Sequence, residues 1–115
     1  MIYLVSSNKS LFGSERYEEA KFDEAMDILL PLHNTQLDTE TMGLDCHTKN
    51  LLTVQLGSTK DQVVIDWLTL SDSNRKHLKE YLESNRLFIG HNIGFDLTFL
   101  YKQNIWPRNI YDTMI

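Results

Sequence analysis

Thr35-Gln36-Leu37-Asp38-Thr39-Glu40-Thr41-Met42-Gly43-Leu44-Asp45 begins as a strand, ends in a turn, and places two acids two residues apart. Side chains on a strand alternate between faces, so Asp38 and Glu40 point one way and Leu37 and Thr39 the other. Two carboxylates side by side on one face repel unless a proton or a cation lies between them. Hard cations such as Mg²⁺ and Mn²⁺ take oxygen ligands and bind through one or two carboxylates together with substrate phosphate. The pair therefore fits a metal-dependent, phosphodiester-cleaving site. A solvated strand face is the competing reading, and the rest of the chain has to decide between them.

The segments around this strand give it a sheet to belong to. Asn50 to Leu56 and Gln62 to Trp67 read as two further strands, joined by a connection of turn composition, Gly57-Ser58-Thr59-Lys60-Asp61, and so as a hairpin. Together with the acidic strand they make three antiparallel strands in a row. Ile2-Tyr3-Leu4-Val5 is a short strand ahead of them. Between the two, the spacing of Phe22, Ala25, Met26 and Leu29 predicts a helix from about Ser14 to Leu30, with Glu15, Glu18 and Glu19 near its start and Pro31 ending it.

Downstream, Ser71-Asp72-Ser73-Asn74 starts a helix whose stripe is Leu78, Tyr81 and Leu82. Asn85 is expected to end it in a left-handed conformation. Arg75, Lys76 and Lys79 read as a solvated face rather than a phosphate contact. Leu87-Phe88-Ile89-Gly90 then forms a strand, and helix plus strand make the crossover of a parallel pairing. It runs into His91-Asn92-Ile93-Gly94-Phe95-Asp96, opening a helix to Lys102 with Asn92 as expected N-cap. Asp96 lies one turn after Asn92, where an acid also suits the helix macrodipole. Trp106 to Ile115 is apolar and β-rich.

Composition narrows the function classes. With 115 residues the chain is at most one domain, and its 42% hydrophobic and 23% charged residues are ordinary for a soluble globular protein. A net charge of −5 argues against broad electrostatic coating of nucleic acid, though not against a site where cations neutralise carboxylates and phosphate together. The single cysteine, Cys46, excludes an internal disulfide and a multi-cysteine zinc site, and it suits a reducing compartment. His33, His47 and His77 have no metal-ligand spacing among them. No apolar run is long enough for a membrane span and the start lacks a secretory signal, so a cytoplasmic protein is expected.

Taken together, Leu37-Asp38-Thr39-Glu40-Thr41 and Gly90-His91-Asn92-Ile93-Gly94-Phe95-Asp96 resemble the first two motifs of the DEDD superfamily of 3′–5′ exonucleases. The likeness is strongest to the proofreading domain of family A DNA polymerases and to ribonuclease D. Tyr111-Asp112-Thr113-Met114 is similar to the stretch where those proteins leave their next strand.

The resemblance implies an α/β, ribonuclease H-like mixed sheet flanked by helices. It also implies that Asp38, Glu40 and Asp96 hold two divalent cations, Mg²⁺ or Mn²⁺, one activating water and the other stabilising the leaving 3′ oxygen. Glu40 is further implied at the terminal 3′-hydroxyl, and Leu44 as an apolar wedge against the terminal base. Asn92, His91 and Thr41 would line the path of the last nucleotides. Asp112 would support the ligands from behind or serve as a cap.

The family's third motif is either Tyr followed four residues later by Asp, or His followed by Asp. None of Tyr3, Tyr17, Tyr81, Tyr101 and Tyr111 has Asp four residues on, and the His33–Asp38 and His91–Asp96 spacings reuse acids already assigned. The expectation is that 1–115 is the N-terminal portion of one exonuclease domain, truncated before the last motif. A polymerase domain or a separate chain would then supply that motif. The expected substrate is a single-stranded DNA 3′ end. RNA trimming of the ribonuclease D type and a non-catalytic nucleic-acid-binding remnant stand as the alternatives.

Overall fold

The computed structural model describes residues 1–7 and 17–114. Seven strands form one mixed sheet, with β1 Ile2–Val5, β2 Glu18–Glu19, β3 Asn34–Thr41, β4 Leu51–Gly57, β5 Gln62–Asp66, β6 Leu87–Gly90 and β7 Asn109–Asp112. Three helices, α1 Phe22–Leu29, α2 Asp72–Leu82 and α3 Ile93–Lys102, complete the described elements. The strand order is β2-β1-β5-β4-β3-β6-β7.

The expected antiparallel trio is present: β3 pairs with β4 and β4 with β5, with Asp38 opposite Gln55 and Glu40 opposite Thr53. On either side the sheet turns parallel, β1 against β5 and β6 against β3 and β7. The crossover from β5 through α2 to β6 is the one the helix–strand pattern called for.

Strand alternation sorts the residues of β3. Thr35, Leu37 and Thr39 are buried, whereas Gln36, Asp38 and Glu40 are exposed. Leu37 joins Val54, Leu56, Val63, Ile65 and Phe88 in one apolar cluster. Against that cluster pack Phe22, Ala25 and Leu29 from α1, Leu78, Tyr81 and Leu82 from α2, and Phe99 and Leu100 from α3. All three helices thus bury their apolar stripes on one side of the sheet, opposite the face of the acidic pair. Tyr81 is anchored there, its hydroxyl bonding to Thr35 Oγ1 at 3.0 Å and donating to the Leu29 carbonyl at 3.1 Å.

Two helix ends differ from the sequence expectations. Helix α1 starts at Phe22, not near Ser14; Glu18 and Glu19 are extended and pair in parallel with β1, while Ser14 and Glu15 lie outside the described residues. The true first turn carries Asp23 and Glu24, and Glu24 Oε1 accepts from the Lys21 amide at 2.9 Å, which fixes the helix start. Helix α2 ends at Leu82 with Glu83 as its C-cap, and Asn85 is not left-handed. Glu83 instead ties this end down, accepting from Lys79 Nζ at 3.2 Å and the Trp106 amide at 3.0 Å.

The basic residues of α2 are largely committed internally. Arg75 donates to the Trp67 carbonyl at 2.7 Å with its guanidinium over the Trp67 ring, and Lys79 also donates to the Asn104 carbonyl at 2.7 Å. No described helix is long and apolar enough to cross a membrane.

Candidate active site

The site begins where β6 runs out. Strand β3 continues to Thr41, but β6 pairs only with Asn34, Thr35 and Gln36 before ending at Gly90. Gly90 is the position of closest approach: a Cβ there would lie 2.9 Å from the Leu37 carbonyl oxygen. Past this point the chain leaves the sheet and turns into α3. The edge of β3 from Thr39 onward therefore lacks a strand neighbour on the β6 side, and its amide needs another acceptor.

Two carboxylates fill that place. The Thr39 amide donates to Asp38 Oδ1 at 2.9 Å and to Asp96 Oδ1 at 3.0 Å, and the Thr39 hydroxyl also donates to Asp96 Oδ1. Asp38 and Asp96 stand 58 positions apart in the sequence, yet here they share one N–H.

 Asp96 is only 4% exposed and Asp38 lies open to solvent. Burial raises the Asp96 carboxyl above the usual carboxylate range; the Thr39 hydroxyl and amide pull it down, and the Asp38 charge pushes it up.

Glu40 is turned the other way along the same face. Its Oε1 accepts from Gln55 Nε2 at 2.6 Å and, at 3.4 Å, from Thr53 Oγ1. Asp38, Glu40 and Asp96 consequently do not form a set with every ligand atom within 4.8 Å of the others. Among the described residues, Asp45, Cys46 and His47 do. That turn cluster was not singled out by the sequence, because consecutive loop residues carry no metal-ligand spacing. A cleft of about 560 Å³ opens beside Asp38, lined also by Gln36, Gln55, Gln62, His91 and Thr113.

Of the remaining site residues, His91 lines the cleft with Asp38. His91 and Asn92 are exposed at the β6–α3 junction, where His91 Nδ1 lies 3.3 Å from Thr113 Oγ1. Thr41 donates to the Gly43 carbonyl at 2.7 Å, closing the turn that carries Leu44, which is 87% exposed.

Asn92 does occupy the N-cap position of α3, but its side chain caps nothing: with φ 53° it is left-handed, which aims that side chain away from the first turn. The cap comes from Asp112 on β7. Its two carboxylate oxygens accept from the Asn92 amide at 2.9 Å and the Ile93 amide at 3.2 Å, and Oδ1 also accepts from the Met114 amide at 2.9 Å. These amides, with the Met114 bond largest, hold the Asp112 carboxyl below its usual range, with His91 adding to the fall. Asp112 thus ties the next strand to the start of the helix bearing Asp96.

A family model described as 3′–5′ exonuclease matches residues 17–115. DNA polymerase I of Aquifex aeolicus is 38% identical over 81 residues, a match that takes up 69% of this chain and 12% of the polymerase. Trypanosoma brucei RNase D, solved in complex with RNA U12, superposes with a TM-score of 0.73 at 19% identity, over 96% of this chain and 37% of that one. Brucella melitensis NrnC with bound Mg²⁺ gives a TM-score of 0.61 at 25% identity, over 71% of this chain and 42% of that one. The fold is the ribonuclease H-like exonuclease fold, and the chain spans less than half the length of each of these relatives. A seven-stranded mixed sheet with both acidic stretches brought to one strand edge, matched by the family model over most of its length, makes this chain a member of the 3′–5′ exonuclease family.

Proposed function

We propose that residues 1–115 form the N-terminal portion of a proofreading-type exonuclease domain that removes nucleotides from the 3′ end of single-stranded DNA. The observation that carries this reading is the shared Thr39 amide, which holds the buried Asp96 carboxylate beside Asp38, a residue that lines an open cleft. The polymerase I relative favours DNA over RNA as the substrate.

The donor set fits divalent cations. It is all oxygen, two of its carboxylates crowd one another, and one of them is buried, so a positive charge relieves both repulsion and desolvation. Asp38, Glu40 and Asp96 would hold two ions, Mg²⁺ or Mn²⁺, with Glu40 exchanging its Gln55 bond for this role. A divalent cation held there would supply a nucleophilic water and stabilise charge on the leaving 3′ oxygen.

The protein's own side chains do the placing. Leu44, exposed on its turn, presents an apolar surface for the terminal base to stack against, and Thr41 fixes that turn. Asn92 and His91, exposed at the α3 N-terminus, would line the approach of the last nucleotides. Asp112 keeps that turn formed. The fourth carboxylate and the group that orients the water would come from a polymerase domain or a separate chain.

Digestion of a 3′-labelled single-stranded DNA oligonucleotide tests this, under single-turnover conditions with the chain in excess. Slow loss of label that requires Mn²⁺ or Mg²⁺ and vanishes in Asp38→Ala is expected. Loss indifferent to chelator and to Asp38→Ala contradicts it. Faster loss from the matching RNA would move the assignment to RNA trimming.

A further inference from the structure

Thr39 sits between the two acids of β3 and, by strand alternation, on the opposite face, where it is 8% exposed. A buried threonine there needs only its methyl group to pack against the core. Yet its hydroxyl donates to Asp96 Oδ1, the same oxygen that accepts from its amide. The amide bond follows from the backbone and survives any side chain. The hydroxyl bond depends on the residue type, and it reaches the one acid that arrives from another element, on α3.

We propose that Thr39 is a positioning residue that sets the rotation of the Asp96 carboxylate at the cation site. Two donors on one oxygen hold the carboxylate in one orientation and leave Oδ2 outside the Thr39 contacts. Hydrogen bonds to a ligating group from residues behind it are part of what fixes metal affinity, and their loss commonly costs about 10- to 100-fold. The proposal rests on reading Asp96 as a cation ligand.

The experiment is Mn²⁺ titration of the full chain, with free Mn²⁺ followed by its paramagnetic resonance signal, alongside a thermal melt of every variant. Thr39→Val keeps the branched shape and removes the hydroxyl, and its Mn²⁺ affinity is expected to fall by about 10- to 100-fold. Thr39→Ser restores the hydroxyl and is expected to return affinity close to that of the unaltered chain. A residue that merely joins α3 to β3 would change the melt without this pattern of loss and rescue. Should Thr39→Val fail to fold, Thr39→Ala against Thr39→Ser makes the same comparison. Asp96→Asn separates the two ways of failing. If Asp96→Asn abolishes binding while Thr39→Val binds normally, Asp96 is a ligand and Thr39 only packs. If Asp96→Asn binds Mn²⁺ as well as the unaltered chain, the ligand reading falls, and the positioning role with it.

Discussion

Asp38 and Glu40 are held by little that the fold depends on. Both are exposed, and when Asp38 is removed the Thr39 amide still donates to Asp96. Asp38→Ala and Glu40→Ala are therefore expected to abolish Mn²⁺ binding while changing stability by no more than about 0.5 kcal/mol, as read by urea unfolding. Unfolding by either substitution would mark the pair as structural. Leu44 follows the same logic with a different readout. At 87% exposed it contributes almost nothing to the core, so Leu44→Ala should leave the melt unchanged and raise the KM for a 3′ oligonucleotide end. At this scale the acids were legible in the sequence, since spacing and strand alternation put Asp38 and Glu40 on one face. The Thr39–Asp96 contact was not. It arises because β6 stops three residues short of Thr39, a fact about the sheet that β3 alone does not carry.

Helix α3 is the element that has to be placed correctly, and its start depends on β7. Asp112 bonds to the Asn92, Ile93 and Met114 amides and has a lowered pKa, so it favours the folded state above the ordinary carboxylate pKa. That contribution is lost as pH falls through the lowered value, beneath the ordinary carboxylate range. The Asn92 and Ile93 amide resonances are expected to titrate in that acidic range and to stop doing so in Asp112→Ala. A midpoint at or above the ordinary carboxylate value would contradict the assignment. The sequence showed α3 and its buried stripe plainly, but credited its cap to Asn92. Local capping rules see only residues adjacent in the chain, and this cap arrives from a separate strand. The start of α1 was misplaced for a related reason: Glu18 and Glu19 suit a first turn in isolation, and pairing with β1 holds them extended.

Across the molecule, the sheet separates stability from chemistry. One face buries the stripes of α1, α2 and α3 around Phe88, which is fully buried and meets Tyr81 edge-on at 5.7 Å between ring centroids. Phe88→Ala should cost about 3–5 kcal/mol in urea unfolding. The other face carries Asp38 and Glu40, where substitutions are cheap. Apart from β2, the order of strands and helices was legible in the sequence because each has its own hydrophobic period; the parallel placement of β1 beside β5 was not, since a four-residue strand carries no signal for its partner. The reading stands on one cation site built from β3 and α3, and the Asp45–Cys46–His47 turn is the competing location. Substoichiometric Mn²⁺ added to the ¹⁵N-labelled chain distinguishes them by paramagnetic broadening. The amides of Asp38, Thr39, Glu40 and Asp96 are expected to broaden first. Broadening centred on residues 45–47, or none at all, would contradict an exonuclease-type metal site in this chain.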